Sequence, residues 1–251
     1  MQLDTGAGIS KLYRDALPRQ YSRLLKPDTL LIRKFSFSEP SSRIFELMYA
    51  VKKDRSKNCS NSKKNILVGT LANDYFLGGN LSLDLARTTF KYTRGAFRKT
   101  EGKNYTSIEI NISKIGNHGS FPMAILILGN GEKRKMVFDT GSVIADLVVL
   151  QEGDWLKLVG LKKIDDVKPK FIPRWGQSVP CYFAPIVESV SLGSMILNSK
   201  NIAVYCHDPR AIVNIKNPIF GFIGLAPFGE SVVTIDYVLG RLFIELDTAK
   251  N

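Results

Sequence analysis

Two aspartates carry the chemistry that this sequence suggests, and each stands in the same short phrase. Asp4 lies in MQLDTGAGIS and Asp139 lies in MVFDTGSVIA, so an Asp-Thr-Gly triplet flanked by apolar residues occurs twice. Two carboxyl groups that share one proton can act on a water molecule and a carbonyl group together, because the ionised one accepts the water proton while the protonated one donates to the carbonyl oxygen. The duplicated triplet therefore predicts a site built from a pair of carboxyl groups.

Matching segments follow both triplets in the same order. The first is followed by ILVGTLANDYFLGGNLSLDL and the second by FGFIGLAPFGESVVTIDY, each with an apolar run containing glycine, an aromatic residue and an alternating strand around a central aspartate. Two triplets in matched surroundings indicate an internal duplication. We predict a first unit over residues 1–100 and a second over residues 101–251. The central aspartates, Asp84 and Asp236, are expected to face solvent and to be non-catalytic.

The remaining pattern is mostly that of β strands. Apolar runs on either side of Gly129-Asn130-Gly131 predict a hairpin, and alternating runs around Gly193 and around Glu39–Ser42 predict two more. The strand-like stretch Ser107–Ser113 could pair with either unit, and the polar segment Thr93–Asn104 is predicted to connect them. Helix is expected only in short stretches, at Ser10–Leu17, Leu24–Leu30 and Ala145–Lys157.

Composition and charge exclude several classes of protein. The chain is 44% hydrophobic, which is enough for a packed core, and it has no run of about 18 apolar residues that would span a membrane. Its net charge of +12 comes without the motif spacing of a nucleic-acid-binding domain, so no nucleic-acid partner is expected. The only histidines, His118 and His207, stand in no ligand-spaced cluster and no glycine-rich phosphate loop is present, so we expect neither metal nor cofactor.

Three cysteines, Cys59, Cys181 and Cys206, are widely spaced. An odd number argues against a complete disulfide framework. A single bridge between Cys181 and Cys206 stays open, but we expect the cysteines to be unpaired small apolar residues.

The duplicated segments resemble the retropepsin-like and pepsin-like aspartic proteases, which carry a hairpin leading into Asp-Thr-Gly, then an apolar-apolar-glycine word and a closing strand. The resemblance covers most of both units. It implies a mostly β fold of two closed, barrel-like lobes in tandem, with few short helices and a pseudo-two-fold axis between them. It also implies an aspartic endopeptidase that acts on peptides or proteins, with Asp4 and Asp139 as its catalytic pair.

The resemblance assigns roles to the neighbouring residues of each triplet. Thr5 and Thr140 would hydrogen-bond across the interface between the lobes and keep the two loops coplanar. Gly6 and Gly141 would allow the close approach of the backbone that a Cβ atom prevents. The next residue differs between the units, being Ala7 in the first and Ser142 in the second. A serine hydroxyl can hydrogen-bond the carboxylate, so Asp139 is expected to ionise more readily than Asp4.

The apolar-apolar-glycine word is clear only in the second unit, as Phe222-Ile223-Gly224. In the first unit it is either Leu67-Val68-Gly69 or, with better spacing, Thr70-Leu71-Ala72, which places alanine where the family has glycine. The flaps that cover the cleft in this family would turn at Trp175-Gly176-Gln177-Ser178 in the second unit and at Ser38–Ser42 in the first.

Three other expectations follow from the incomplete first unit. The fold could bind a peptide or a glycan without cutting it. Two chains could pair their Asp139 residues as a homodimer, although we expect a monomer with an intramolecular pair. Only Met1, Gln2 and Leu3 precede Asp4, so we expect the sequence to be part of a longer protein with an upstream strand pair, and an extracytoplasmic location if an export signal precedes it.

Overall fold

The computed structural model describes residues 2–13, 30–32, 48–51, 69–115, 119–142, 144–174, 177–208 and 219–246. The fold is mostly β with few short helices, as the sequence predicted. The strands are β1 (Gln2–Leu3), β2 (Lys11–Tyr13), β3 (Leu30–Ile32), β4 (Met48–Val51), β5 (Gly69–Leu71), β6 (Gly79–Asp84), β7 (Thr89–Arg94), β8 (Tyr105–Lys114), β9 (Ser120–Ile127), β10 (Lys133–Phe138), β11 (Leu147–Val149), β12 (Lys170–Arg174), β13 (Gln177–Pro185), β14 (Val190–Leu192), β15 (Met195–Leu197), β16 (Ile202–Cys206), β17 (Gly221–Ile223), β18 (Val232–Asp236) and β19 (Arg241–Glu245).

Helical structure in the described residues is confined to four short segments. Two are α-helices, α1 (Asn73–Phe76) and α2 (Glu152–Leu158). Two are 3-10 turns, at Ile164–Asp166 and Ala226–Phe228. Among the described residues, no helix has the length and apolar character needed to cross a bilayer.

The strands form two sheets. The smaller has five strands in the order β1-β5-β2-β4-β3. The larger has the order β12-β13-β16-β11-β17-β10-β9-β8-β19-β18-β6-β7, with the β14–β15 hairpin attached at β9. Strands β6 and β7 belong to the first predicted unit, yet β6 pairs with β18 of the second, with Leu81 opposite Ile235. The two predicted units, called the first and second repeats below, therefore contribute strands to one continuous sheet.

The hairpins predicted from glycine-rich turns are confirmed where the structure describes them. β9 and β10 pair antiparallel on either side of the predicted Gly129-Asn130-Gly131 turn, and β14 and β15 pair on either side of Gly193. β3 and β4 also pair antiparallel, while their predicted turn at Glu39–Ser42 lies outside the described residues. The stretch Ser107–Ser113 lies in β8, which pairs with both β9 and β19.

The helix expectations were wrong in part. In Ser10–Leu17, residues Lys11–Tyr13 form β2, and the rest of that stretch beyond Tyr13 lies outside the described residues. Of Leu24–Leu30, only Leu30 is described, and it begins β3. In Ala145–Lys157, helix begins only at Glu152, because Leu147–Val149 is a fully buried strand between β16 and β17. Strands buried on both faces lack the alternation that would distinguish them from helix.

One apolar core spans both repeats. Phe76 and Leu81 from the first repeat and Phe138 and Trp155 from the second are fully buried members of the same cluster. The indole Nε1 of Trp155 donates to the carbonyl oxygen of Ala203 at 3.2 Å, which satisfies the polar atom of this buried side chain. The repeats are therefore joined by a shared core as well as by a shared sheet.

Cys181 and Cys206 form a disulfide, which corrects the expectation that the cysteines are unpaired. The two residues are direct partners on the antiparallel strands β13 and β16, and both are buried. Their separation in sequence gives no hint of this pairing, because it depends on which strands become neighbours.

Replacing both bridged cysteines by alanine is expected to lower the free energy of unfolding by about 3 kcal/mol. The disulfide spans a sequence separation of 25, and closing a loop of that length restricts the unfolded chain by about this amount. Urea unfolding of the Cys181→Ala/Cys206→Ala variant measures the change, with Cys59→Ala as the control. Equal midpoints for the two variants would contradict the prediction.

Candidate active site

Both Asp-Thr-Gly loops begin in the same way. β1 pairs in parallel with β5, and β10 pairs in parallel with β17. At the end of the first pair, the Asp4 amide donates to the carbonyl oxygen of Leu71 at 3.0 Å. At the end of the second, the Asp139 amide donates to that of Ile223 at 2.9 Å. Each aspartate thus leaves a parallel strand pair at an equivalent position.

Both loops also close in the same way. The amide of Ala7 donates to the Asp4 carbonyl oxygen at 3.2 Å, and that of Ser142 donates to the Asp139 carbonyl oxygen at 3.0 Å. The carbonyl oxygens of Ala7 and Ser142 then accept from the amides of Asn73 at 3.1 Å and Leu225 at 3.3 Å. The backbone of the triplet loop is therefore duplicated bond by bond.

These bonds make Thr70-Leu71-Ala72, not Leu67-Val68-Gly69, the counterpart of Phe222-Ile223-Gly224. Ala72 is fully buried, and its amide donates to Ser10 Oγ at 2.9 Å. At Gly224, a Cβ atom would overlap the carbonyl oxygen of Ser142. The first repeat holds alanine at this point while keeping the same backbone hydrogen bonds around it.

The two threonines hold the loops together by a reciprocal exchange. The Thr5 amide donates to Thr140 Oγ1 at 3.0 Å, and the Thr140 amide donates to Thr5 Oγ1 at 2.9 Å. Thr5 Oγ1 also donates to the carbonyl oxygen of Phe138 at 2.9 Å. Thr5 is 0% exposed and Thr140 is 7% exposed, so these hydrogen bonds are shielded from water. The exchange fixes one loop against the other.

The carboxyl groups of Asp4 and Asp139 meet between the loops. Asp139 Oδ1 accepts from the amides of Gly6 at 3.1 Å and Gly141 at 2.8 Å. A Cβ atom at Gly6 would overlap the Asp139 carboxyl group. A Cβ atom at Gly141 would lie 3.0 Å from Asp4 Oδ1 and 3.1 Å from Asp139 Oδ1, so both carboxyl groups converge on this glycine. A side chain at Gly6 would displace the Asp139 carboxyl group, and one at Gly141 would crowd both carboxyl groups.

Burial raises the pKa of Asp139 to about 7, and the negative charge of Asp4 acts in the same direction. A hydrogen bond with the Asp4 side chain raises this pKa further, while the amides of Gly141 and Gly6 lower it. The recorded donors are backbone amides rather than the Ser142 hydroxyl that the sequence suggested. The expectation that Asp139 ionises more readily than Asp4 stays a prediction, and burial works against it. Close to neutral pH and below, Asp139 retains a proton.

The raised pKa makes stability depend on pH in a defined direction. Between about pH 4 and pH 7, folded Asp139 holds a proton that the unfolded chain has released, so its contribution to the free energy of unfolding is present at low pH and is lost as the pH rises to 7. We expect the stability of the wild type relative to Asp139→Asn to fall by a few kcal/mol across this window. Urea unfolding of both proteins at several pH values measures this difference. A difference that does not change with pH would contradict the raised pKa of Asp139.

Other residues singled out in the sequence lie apart from this pair. Asp84 is partly exposed and accepts from the Arg87 amide at 2.9 Å. Asp236 was expected to face solvent, but it is 0% exposed. Its carboxylate accepts from the amides of Phe97 at 2.6 Å and of Val238 and Leu239, both at 2.8 Å. The expectation failed because the segment after β7 covers this face of the sheet, which strand alternation does not reveal.

The β12–β13 hairpin lies near the loop that contains Asp139. β12 and β13 pair antiparallel with Arg174 opposite Gln177, and Trp175 and Gly176 of the predicted flap lie outside the described residues. Ile172 and Val179, opposite each other on this hairpin, lie in the same apolar cluster as Ala145, just downstream of the Asp139 loop. The flap predicted for the first repeat, Ser38–Ser42, lies outside the described residues. Across the described part of the chain, His, Cys, Asp and Glu nowhere gather in threes as metal ligands would.

No protein-family model matches this sequence, and no curated protein sequence matches it. Among solved structures, the chain is similar to a retropepsin-like aspartic protease from Rickettsia conorii, with 16% identity, a TM-score of 0.36, and coverage of 59% of this chain and 96% of that one. It is also similar to an aspartic proteinase from Irpex lacteus, with 11% identity, a TM-score of 0.43, and coverage of 98% and 89%. At TM-scores below 0.5, these similarities carry no argument about function.

Proposed function

We propose that this chain is an aspartic endopeptidase in which Asp4 and Asp139, one from each repeat, hydrolyse peptide bonds through a shared proton. Thr5, Gly6 and Ala7 support one aspartate, and Thr140, Gly141 and Ser142 support the other. Both aspartates come from one chain, so a single polypeptide supplies the whole pair.

The observation that carries this proposal is the convergence of two carboxyl groups between loops locked by reciprocal threonine hydrogen bonds. Two ionised carboxylates within hydrogen-bonding reach repel each other, so the arrangement is stable when one of them holds a proton. A structural role would be served by one buried carboxylate with amide donors. Burying two against each other has a free-energy cost that a proton-transfer function explains.

The reaction needs no covalent intermediate. A water molecule between the carboxyl groups loses a proton to the ionised one as its oxygen bonds to the peptide carbonyl carbon, while the protonated one donates its proton to the carbonyl oxygen. The resulting tetrahedral diol collapses as the carbon–nitrogen bond breaks. The carboxyl group that took the water proton gives it to the leaving nitrogen, and one hydroxyl of the diol gives its proton to the other carboxylate as the new carbonyl group forms. The pair thus returns to its starting state with one proton.

The substrate is an extended segment of peptide or protein. The β12–β13 hairpin is suited to cover it, because Ile172 and Val179 share an apolar cluster with Ala145 beside the Asp139 loop, while Gln177 and Ser178 are exposed. An extended backbone offers the hydrogen-bonding groups that the edge of a hairpin can pair with.

The test is to incubate the protein with a peptide library from about pH 3 to 8 and to identify the products by mass spectrometry. Cleavage that is strongest below about pH 7 and blocked by a pepstatin-type mimic of the diol would support the proposal, because the pair must retain a proton. Peptides retained without cleavage at every pH would overturn it and indicate a binding module instead. Cleavage that persists with both aspartates replaced by asparagine would also overturn it.

A further inference from the structure

A buried side-chain hydrogen bond joins the second repeat to the Asp4 loop of the first. Tyr237, the residue after β18, donates its hydroxyl proton to Asn73 Oδ1 at 2.7 Å. Asn73 begins α1, where it is 0% exposed, and Tyr237 is 8% exposed. The Tyr237 ring also stacks on Phe76 with ring centroids 6.3 Å apart. The residue that follows β18 in the second repeat thus contacts Asn73, which holds the Asp4 loop of the first repeat.

The amide group of Asn73 holds the Asp4 loop on either side of Gly6. Its Nδ2 donates to the carbonyl oxygen of Thr5 at 2.6 Å and to that of Ala7 at 2.9 Å. Carbonyl oxygens only accept, so Nδ2 must face them and Oδ1 must face Tyr237. Burial raises the pKa of Tyr237 far above its usual range, so the phenol remains a donor. The phenol therefore fixes the orientation of the Asn73 amide.

The hydrogen bond to Thr5 also determines where the next amide points. The Thr5 carbonyl and the Gly6 N–H belong to one planar peptide unit and point in opposite directions. Holding the carbonyl at Asn73 therefore directs the Gly6 N–H at Asp139 Oδ1, to which it donates at 3.1 Å. A tilt of this peptide plane would withdraw the donor from the Asp139 carboxyl group.

The positions equivalent to Asn73 and Tyr237 hold apolar residues, Leu225 in the second repeat and Leu85 in the first. Leu225 occupies the place of Asn73, because its amide donates to Ser142 as that of Asn73 donates to Ala7. Leu85 follows Asp84 as Tyr237 follows Asp236. The backbone amides of Gly141 and Gly6 also differ in the aspartate to which they donate. That of Gly141 donates to the aspartate of its own loop, whereas that of Gly6 donates across the interface to Asp139. The polar pair of Asn73 and Tyr237 supports the loop whose glycine amide crosses the interface.

We propose that Asn73 and Tyr237 are positioning residues that hold the Thr5–Gly6 peptide plane so that its N–H stabilises ionised Asp139. This inference rests on the proposed function, in which that carboxyl group takes part in proton transfer. It makes proton sharing in the pair dependent on a strand of the opposite repeat. The charged groups near this network are Asp4, which acts on Asp139, and Asp74, which accepts from the Ser10 amide at 2.8 Å.

The test replaces the hydroxyl group alone, in Tyr237→Phe. We expect kcat to fall about tenfold with KM within twofold, because the pair is misaligned while the cleft is unchanged. The alkaline limb of the pH–rate profile should move up by about half a pH unit, since Asp139 loses part of a donor that favours its ionised form. Tyr105→Phe, which removes a half-buried phenol near Glu245, serves as the control and should change neither value.

A second variant separates positioning from stability. Tyr237→Phe leaves Asn73 Oδ1 buried without a donor, which destabilises the fold by itself. Asn73→Leu/Tyr237→Phe removes both polar side-chain groups and imitates the apolar residues at the equivalent positions, Leu225 and Leu85. It removes the unpaired Oδ1 but also the Nδ2 donor to the carbonyl oxygens of Thr5 and Ala7, so we expect the folded fraction, measured alongside activity, to keep the lowered kcat and the shifted profile. Wild-type kcat and pH profile in the double variant would overturn the inference.

A readout without turnover keeps the inference distinct from the proposed function. The pH midpoint at which stability falls reports Asp139 directly, whether or not any peptide is cleaved. We expect it to move upward by about half a pH unit in both variants. If the wild type cleaves nothing but the midpoint moves, the proposed function fails and the positioning role stands. An unmoved midpoint in the double variant would overturn the positioning role itself.

Discussion

Asp139→Asn is expected to lower kcat by about 1000-fold or more while leaving the folded structure intact. Asparagine retains an oxygen at the position of Oδ1, so the amides of Gly6 and Gly141 keep their acceptor. What the change removes is the ability to carry a proton, which the proposed reaction needs at every step. Below about pH 7, wild-type Asp139 is already protonated, so the neutral asparagine should fit the site without loss of stability.

Two measurements define this prediction. Initial rates of peptide cleavage near pH 5 give the loss of turnover, and thermal unfolding at the same pH shows whether the fold survives. Asp4→Asn should show the same loss, whereas Asp84→Asn, which changes a partly exposed turn, should cleave at the wild-type rate. A fall in turnover accompanied by a large fall in unfolding temperature would mean that Asp139 is structural.

Asp236→Ala is expected to lower the free energy of unfolding by about 3 kcal/mol or more. The fully buried carboxylate accepts three backbone amides, from Phe97, Val238 and Leu239. Removing the acceptor leaves these partly buried donors unpaired, and an unpaired donor costs about 1–3 kcal/mol where it is shielded from water. The Phe97 bond also fastens the connecting segment onto the sheet, where the Phe97 ring packs on Phe243 with centroids 5.1 Å apart. Losing the anchor should expose that segment.

The corresponding aspartate of the first predicted unit supplies a matched control. Asp84→Ala removes the same group at the equivalent position of the first repeat, where the carboxylate caps an exposed turn and pairs with a largely exposed Arg87. Exposed interactions of this kind contribute less than about 1 kcal/mol. Urea unfolding of the two variants should therefore give clearly different midpoints. Equal effects would show that the burial of Asp236 has no energetic consequence.

The parts of the site that could be predicted from the sequence are those that depend on residues close together in the chain. The two Asp-Thr-Gly triplets and the hairpin turn at Gly129-Asn130-Gly131 both depend on neighbours in the chain. The choice between Gly69 and Ala72 could not be made in this way. It depends on whether Leu71 or another residue accepts the Asp4 amide, which requires the register between β1 and β5.

Features that depend on long-range pairing were hidden for the same reason. Cys181 meets Cys206 only because β13 and β16 become neighbours. Asp236 is buried only because the segment containing Phe97 folds back over it. The pairing of Asn73 with Tyr237 joins residues 164 positions apart. A polar residue directly after the apolar-apolar word, where the second repeat has leucine, is the one sequence signal that could have pointed to Asn73.

Because β6 pairs with β18, the sheet cannot be completed until late in the synthesis of the chain. Ser82 on β6 hydrogen-bonds Thr234 on β18, a partner 152 positions later in the chain. At about 5–20 residues per second, a ribosome needs about 10–30 s to reach that partner. Until then, β6 has an unpaired edge, and its Leu81 and Leu83 lack the strand that buries them. Pairings between distant segments also form slowly. The nascent chain therefore passes through an interval in which β6 is open to wrong partners, and in which a chaperone would have the most effect on yield.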